Sequence, residues 1–212
     1  MSVSSYPAHL ARRVPRQARG ERRVAELLEA AACVISETGY EAATMSEIAS
    51  RAGACIGSLY QFFPNKTSIA YALRADYAAR IQHLWQPLEE QASYLTLDRL
   101  ISRMIDTMVA FIEKNPAFLC LLDAPSTRNP SMRAIFRQMV ARILSHKVGL
   151  PWPRLVRMSS VMLRIFKAMN ELYAEAPIEE RKAITREFKF LLSCYLAAQP
   201  AITNSRKLSN RS

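Results

Sequence analysis

Hydrophobic side chains recur at helical spacing along most of the chain. In the first such segment, Glu21 to Thr38, they return every three or four residues and include Val24, Leu27 and Ile35. Gly39 follows where a left-handed residue would end a helix. We find no segment with the strict alternation of a strand, no sustained heptad and no internal repeat. The pattern predicts an all-α fold.

The next stretch, from Thr44 to Lys66, predicts two short helices joined by a tight turn. The hydroxyl of Thr44 can cap the first helix, and Glu47, three residues later, can reach back to complete a capping box. Gly53 supplies the backbone freedom that a turn needs after the first helix. The segment therefore has the organisation of a helix-turn-helix.

The second helix of this pair has two different faces. Steps of roughly 100° per residue place Leu59 and Phe63 together, where we expect them to pack inward. The outward arc consists of Gly57, Ser58 and Gln61. These residues are small or polar enough to approach base edges, and a Gln side chain can form two hydrogen bonds with adenine. This face is a candidate for reading DNA.

Two aromatic residues, Tyr60 and Phe62, flank the outward arc. Tyr60 and Lys66 lie at opposite ends of the segment and suit the phosphates on either side of a groove. The alternative is an ordinary helix pair in which Tyr60 is half buried and Lys66 is only solvated. If each residue were considered by itself, this alternative would be favoured.

Proline and capping residues divide the remainder into further helices. Asn65 can cap a long helix, which Pro87 is expected to end or kink. Later helices are predicted to open near Thr96, Pro116, Pro130, Pro153 and Pro177. Residues 1–20 carry two prolines and four arginines and are expected to form a mobile arm, which either enters a minor groove or is merely solvated.

Charge supports a polyanionic partner without proving one. The formal net charge is +11, and residues 1–23 contain six arginines and one glutamate. A second basic region, residues 124–170, has nine lysines and arginines and no carboxylate. DNA fits this balance, but so does a solvated basic surface.

The sequence gives little support for a metal or redox site, for catalysis or for a membrane segment. The four cysteines have no paired spacing that would suggest zinc or a redox dithiol, which indicates a reduced, cytoplasmic protein. The three histidines are scattered, and we find no glycine-rich phosphate loop. The beginning of the sequence lacks a hydrophobic signal region, and no apolar run is long enough to cross a bilayer. We expect no catalytic residues, no metal, no cofactor and no membrane partner.

One dense set of motifs points to a known family. It comprises Glu37-Thr-Gly-Tyr40, Thr44 with Glu47-Ile-Ala49, Ala52-Gly53, Gly57-Ser-Leu-Tyr-Gln-Phe-Phe63 and Asn65-Lys66. In these positions the chain resembles the tetracycline-repressor-like (TetR) family of bacterial transcriptional regulators. The motif-level match spans residues 20–70, and beyond it the resemblance is a pattern of long helices.

The resemblance implies a dimeric repressor that a small-molecule effector releases from a palindromic DNA operator. It implies an N-terminal three-helix DNA-binding unit with a helix-turn-helix and a larger C-terminal helical domain for dimerisation and effector binding. The expected boundaries are a flexible basic arm over 1–20, the DNA-binding domain over 21–68, a connecting helix over 69–86, the effector-binding and dimerisation domain over 87–198 and a flexible tail over 199–212.

Residue roles follow from the resemblance by position. Thr44 would bond a phosphate, Ile56, Gly57, Ser58 and Gln61 would line the major groove, and Tyr60, Phe62 and Lys66 would contact the DNA backbone.

Two positions depart from the family pattern. Cys55 stands where the family most often has Ser or Thr, which weakens the helix cap by about 1 kcal/mol. Its thiol is either a small residue in a tight turn or a group whose modification ejects DNA. Ile56 stands where a long polar or basic residue is common. The helical wheel places it near the core side, where it contacts a thymine methyl or only packs.

The second domain offers candidate effector and dimer residues. Deformable and aromatic apolar residues suit either an effector pocket or an ordinary core, namely Met104, Met108, Phe111, Phe118, Phe136, Met139, Phe166 and Met169. A sharper hypothesis is that the effector is acidic and that its negative charge pairs with one or more of Arg133, Arg137, Arg142, Arg157 and Arg164. The alternative is that these arginines form a solvated basic face. The last two helices are expected to dimerise through Leu163, Phe166, Tyr173, Phe188, Leu192 and Tyr195.

Two competing functions remain from the sequence. A basic helical protein could coat DNA without choosing a sequence, and its binding would weaken as salt rises with little difference between sequences. A small helical enzyme is the less favoured alternative.

Overall fold

The computed structural model describes residues 18–123 and 130–199, and within these ranges it contains nine α-helices and no strand. The all-α prediction is confirmed. The helices are α1 (Ala18–Thr38), α2 (Met45–Arg51), α3 (Ile56–Phe62), α4 (Lys66–Gln91), α5 (Leu97–Lys114), α6 (Ala117–Asp123), α7 (Pro130–Ser145), α8 (Trp152–Glu175) and α9 (Arg181–Ala197).

Local chemistry explains the first three helix boundaries. The backbone of Gly39 has φ +80° and that of Gly53 has φ +56°, so both adopt the left-handed conformation that favours glycine after a helix. The predicted capping box between Thr44 and Glu47 is present at the start of α2. Because α2 and α3 have only seven residues each, tertiary packing rather than intrinsic propensity must stabilise them.

Pro87 was expected to end or kink the helix, and the end is wrong, because α4 continues through this residue to Gln91. A kink at Pro87 stays a prediction. Proline lacks the N–H that would bond the carbonyl of His83, and Pro87 is exposed, so that carbonyl can face solvent. On either side, Trp85 and Leu88 are buried. Burial of these two large side chains offsets the lost hydrogen bond.

The first compact unit consists of residues 1–80 and 111–132, of which 18–80, 111–123 and 130–132 are described. Helix α1 packs against α2 and also against α6. Three aromatic rings meet edge to face in the core of this unit. The centre of the Tyr77 ring lies 5.7 Å from the ring centres of both Phe111 and Phe118. Burial raises the pKa of Tyr77 to about 12. Residues 111–123 thus group with the N-terminal helices, and the domain boundary at residue 87 stays a prediction.

The second compact unit consists of residues 81–110 and 133–212, and its description ends at residue 199. Here α8 and α9 pack against each other. Their buried residues include Leu155, Met158, Met162, Met169 and Leu196.

Two predicted segments fall largely outside the described residues. Of the basic arm over 1–20, only residues 18–20 are described, and they belong to α1. Of the tail over 199–212, only Gln199 is described.

Candidate nucleic-acid interface

Helix α3 presents the two faces that its sequence predicts. Leu59 and Phe63 are 0% exposed, so both belong to the core. On the other side, Gly57 and Gln61 are exposed and Ser58 is half buried. The outward arc therefore has little side-chain bulk and carries polar groups at its surface.

Three larger side chains border this arc. Tyr60 is 51% exposed, while Phe62 is half buried. Ile56 is 40% exposed, so the helical-wheel placement of this residue near the core is wrong. It is the first residue of α3, where no preceding helical turn covers the side chain, and it remains free to meet an apolar group such as a thymine methyl.

The start of α2 is held by three hydrogen bonds between Thr44 and Glu47. The hydroxyl of Thr44 accepts from the Glu47 backbone N–H at 3.2 Å and donates to Oε2 of Glu47 at 2.8 Å. The Thr44 backbone N–H also donates to Oε2, at 2.9 Å. The two bonds to Oε2, first that from the Thr44 hydroxyl and then that from its backbone N–H, lower the pKa of Glu47. For Thr44 to donate to a DNA phosphate, as predicted, its hydroxyl must leave this carboxylate.

We expect Thr44→Ala to destabilise the protein by about 0.5–2 kcal/mol, because the cap of α2 is lost. The pKa of Glu47 should then return toward its ordinary value. A lowered carboxyl pKa contributes stability above the ordinary pKa, and this contribution disappears as pH falls through the lowered value. The stability gap between wild type and variant should therefore narrow in acid. Urea unfolding across pH 2–7, with NMR titration of Glu47, measures both effects, and a gap that widens in acid would contradict this reasoning.

Helix α3 lacks the side-chain cap that α2 has. Cys55 occupies the cap position with φ −69° and ψ 144°, but its side chain forms no capping hydrogen bond. This agrees with the expectation that cysteine weakens the cap.

We expect Cys55→Ser to raise the free energy of unfolding by about 1 kcal/mol, because serine is among the preferred N-cap residues and the backbone is already extended there. Thermal unfolding monitored by circular dichroism measures the change. Cys55→Ala, which removes the thiol without adding an acceptor, is the matched control. Equal melting temperatures for the two variants would argue against a capping role.

Lys66 has a structural role that the sequence did not predict. Its Nζ donates to the backbone carbonyls of Tyr40 and Glu41, each at 2.7 Å, and lies 4.7 Å from the centre of the Tyr40 ring. Lys66 thereby ties the start of α4 to the loop between α1 and α2. The ammonium has three N–H donors, so contact with a phosphate stays a prediction alongside this role.

A second unpredicted contact joins α1 to α2. Two nitrogens of Arg51 donate to the two carboxylate oxygens of Glu37, at 2.7 Å and 2.5 Å. This pair lowers the pKa of Glu37 and raises that of Arg51. The two residues are 14 positions apart and belong to different helices, so no periodicity in the sequence could reveal them.

Two family models match separate parts of the chain. A family model described as "Bacterial regulatory proteins, tetR family" matches residues 27–73, and one described as "Tetracyclin repressor-like, C-terminal domain" matches residues 96–196. The chain belongs to the TetR family. It is therefore a DNA-binding transcriptional regulator rather than an enzyme.

Solved structures of TetR-family proteins share the fold. A regulator from Streptomyces coelicolor is 24% identical with a TM-score of 0.66, and the match covers 82% of this chain and 98% of the other. A TetR-like regulator from Rhodococcus sp. is 18% identical with a TM-score of 0.63, covering 88% and 100%. FadR from Bacillus subtilis, solved with stearoyl-CoA, is 18% identical with a TM-score of 0.59, covering 80% and 97%. No curated protein shows significant sequence similarity to this chain.

Within residues 18–123 and 130–199, no helix is long and apolar enough to cross a membrane. The same residues contain no group of three or more His, Cys, Asp or Glu side chains that could hold a metal ion.

The eight predicted effector residues do not form one set. Phe111 and Phe118 belong to the aromatic core of the first unit, whereas the other six lie in the second unit. A groove of about 500 Å³ in the first unit is lined by α1, α4 and residues 114–117, and it includes none of the eight. Because Phe111 and Phe118 are only 4% and 6% exposed and pack on each other, they are core residues.

The predicted dimer residues need a correction. Tyr173 is 7% exposed and Leu192 is 2% exposed within the chain itself, so neither is available to a partner. Leu163, Phe166, Phe188 and Tyr195 are half buried. The large apolar residues that α8 and α9 do expose are Trp152, Val161, Leu172, Phe190 and Leu191. Dimerisation through α8 and α9 stays a prediction, from which Tyr173 and Leu192 are removed by their burial.

Proposed function

We propose that this TetR-family regulator is a homodimeric repressor that reads a palindromic operator with one α3 helix in each half-site. The observation that supports this most directly is the outward arc of α3, where Gly57 and Gln61 are exposed beside a fully buried Leu59. A helix that is firmly anchored and has a nearly bare polar face can approach base edges in a major groove.

Ser58, Gln61 and Ile56 are the proposed reading residues, with Gly57 allowing the backbone to come close. Thr44 is proposed to bond a phosphate, and Tyr60, Phe62 and Lys66 are proposed to contact the DNA backbone, which sets the helix in the groove. Phosphate contacts position a protein, whereas base contacts choose the sequence.

A second copy of the chain is the proposed partner of the α8–α9 surface. Val161 and Leu172 are 11 residues apart and therefore lie on one face of α8, where they are 42% and 48% exposed. On α9, Phe190 and Leu191 are 68% and 46% exposed. Dimerisation also has a functional reason, because two recognition helices must lie about 34–36 Å apart to enter successive major grooves.

A small-molecule effector is proposed to end repression, and the protein is proposed to act in the cytoplasm, where its DNA lies. The effector lowers operator affinity only if it binds the operator-competent form and the released form unequally.

Selection of bound fragments from random DNA with the purified full-length protein tests the proposal. We expect a palindrome whose half-sites lie about one helical turn apart. Recovery of no preferred sequence, together with binding that weakens with salt equally for all DNA, would favour the DNA-coating alternative. The only specific support for the DNA-coating alternative is the net charge of +11.

A further inference from the structure

The exposed surface of α3 carries no charged side chain. Ile56 and Tyr60 are 40% and 51% exposed, and Gly57 and Gln61 are exposed as well. None of the seven residues of this helix is acidic or basic. Guanine is most often read by an arginine or lysine that donates to its O6 and N7 atoms. The helix itself therefore lacks the usual reader of guanine.

The two cations closest to α3 in the sequence are engaged in other contacts. Arg51 and Lys66 are the only basic residues from Gly39 to Lys66. Two nitrogens of Arg51 bond both carboxylate oxygens of Glu37, and Nζ of Lys66 bonds two backbone carbonyls. Either side chain would have to give up these charge-assisted bonds to reach a base edge. We therefore expect neither cation to replace the missing reader of guanine.

Gln61 offers an unengaged amide on the outward arc. Its side chain is exposed and forms no hydrogen bond within the described residues. An amide both donates and accepts, so a glutamine can bond N6 and N7 of adenine at once. Gly57, four residues earlier, is its neighbour on the helix surface, and a Cβ there would have no atom within 4 Å. This open space lets a base edge approach the amide.

Ile56 offers an apolar contact at the start of the same helix. Its side chain is 40% exposed, whereas Leu59, the other large aliphatic residue of α3, is 0% exposed. Among the four bases, only thymine presents a methyl group in the major groove. Contact with that methyl group would remove apolar surface of Ile56 from water, which is favourable. The exposed isoleucine therefore favours thymine.

The distance between these two side chains fits base pairs that lie close together. Gln61 follows Ile56 by five residues, which corresponds to about 7.5 Å along a helix that rises roughly 1.5 Å per residue. Successive nucleotides of a DNA strand are about 3.4 Å apart along the duplex axis. The two side chains therefore suit bases about two steps apart.

From these observations we infer that α3 reads two A·T base pairs in each half-site, with the Gln61 amide on an adenine and the Ile56 side chain on a thymine methyl group. This inference rests on the proposed function and names the bases that its recognition helix selects. The hydroxyl of Ser58 can bond either kind of base pair and does not choose between them. A G·C pair at either position would leave the amide or the isoleucine without its partner.

Selection from random DNA identifies the bases that each residue reads. Full-length wild-type, Gln61→Ala and Ile56→Ala proteins are compared. We expect Gln61→Ala to lose the preference for one adenine in each half-site and Ile56→Ala to lose the preference for one thymine, about two base pairs away. Gln82→Ala, the same change at an exposed glutamine of α4, is the matched control and should select the wild-type sequence. Loss of a preference for guanine or cytosine, or no loss in either variant, would overturn the inference.

Modified operators test the two contacts atom by atom. Deoxyuridine in place of the selected thymine removes only the methyl group, and 7-deazaadenine replaces only N7 of the selected adenine. We expect the first change to weaken wild-type binding about threefold or more and the second about fivefold or more. Ile56→Ala should not distinguish deoxyuridine from thymine, and Gln61→Ala should not distinguish 7-deazaadenine from adenine. A variant as sensitive as wild type would show that another group makes the contact.

The outcomes separate this inference from the proposed function. Circular dichroism establishes first that both variants are folded, as expected for changes at exposed positions. A wild-type palindrome in which Gln61 and Ile56 read G·C pairs would uphold the dimeric repressor and overturn the inference. Recovery of no palindrome with the wild-type protein would contradict the proposed function and the inference together.

Discussion

Gly57→Gln is expected to lower operator affinity about 100-fold or more, which corresponds to about 2.7 kcal/mol. Gly57 lies on the outward arc of α3, and a long side chain there would hold the helix away from the base edges. The contacts of Ser58 and Gln61 would then be lost together, and each good bidentate contact with a base is worth about 1–3 kcal/mol.

Gly57→Gln should not lower the stability of the protein in the absence of DNA. A Cβ at Gly57 would have no atom within 4 Å, and its φ lies outside the left-handed region. Glutamine also has a better helix propensity than glycine, by about 0.5 kcal/mol. We therefore expect the variant to be at least as stable as wild type, so that a loss of DNA binding cannot be attributed to unfolding.

Fluorescence anisotropy with the selected operator measures the affinity, and thermal unfolding measures the stability. Ala79→Gln places the same side chain on an exposed position of α4 in the same compact unit and should change neither quantity appreciably. Operator affinity of Gly57→Gln within threefold of wild type would show that α3 does not approach the bases closely at this point.

Phe190→Asp is expected to convert the dimer to a monomer and thereby to reduce operator affinity at least 100-fold. Phe190 is 68% exposed in the single chain and has Leu191 beside it on α9. Burying a carboxylate in an apolar interface is unfavourable unless it is paired, so the dimer should dissociate. Each monomer would then bind one half-site on its own. In a dimer, binding to one half-site holds the second recognition helix close to the other half-site and so raises its effective concentration there.

Light scattering gives the mass in solution, which should fall from about twice 24.0 kDa to 24.0 kDa. Tyr94→Asp is the matched control, since Tyr94 is 89% exposed in the loop between α4 and α5, and it should remain dimeric. Circular dichroism establishes that both variants are folded. A Phe190→Asp protein that keeps the mass of a dimer would remove this face of α9 from the proposed interface.

Features that depend on neighbours in the sequence were predicted from the sequence correctly. The box between Thr44 and Glu47 needs residues three positions apart, and the cap by Asn65, whose Oδ1 accepts from the Ser68 N–H at 2.8 Å, needs the same spacing. The inward placement of Leu59 and Phe63 follows from helical period alone. Such interactions are short in range, so composition and spacing suffice to predict them.

Errors arose where burial depends on a second helix. Pro87 was expected to end or kink α4, yet the helix continues past it, with Trp85 and Leu88 buried on either side. The apolar residues of α9 include both Leu192, which is buried, and Phe190, which is exposed. Because apolar residues occur on both faces of α9, the sequence alone does not predict which face packs against the core of its own chain.

The sequence by itself determined the helical class, the turns at Gly39 and Gly53 and the two faces of α3, because each depends on local backbone preferences and on helical period. Only the tertiary structure decided which carboxylate meets Arg51, that Lys66 is bound to the carbonyls of Tyr40 and Glu41, and that Leu192 is buried while Phe190 is exposed. These outcomes depend on side chains far apart in the sequence that packing brings within a few ångströms, and no local pattern encodes such distances.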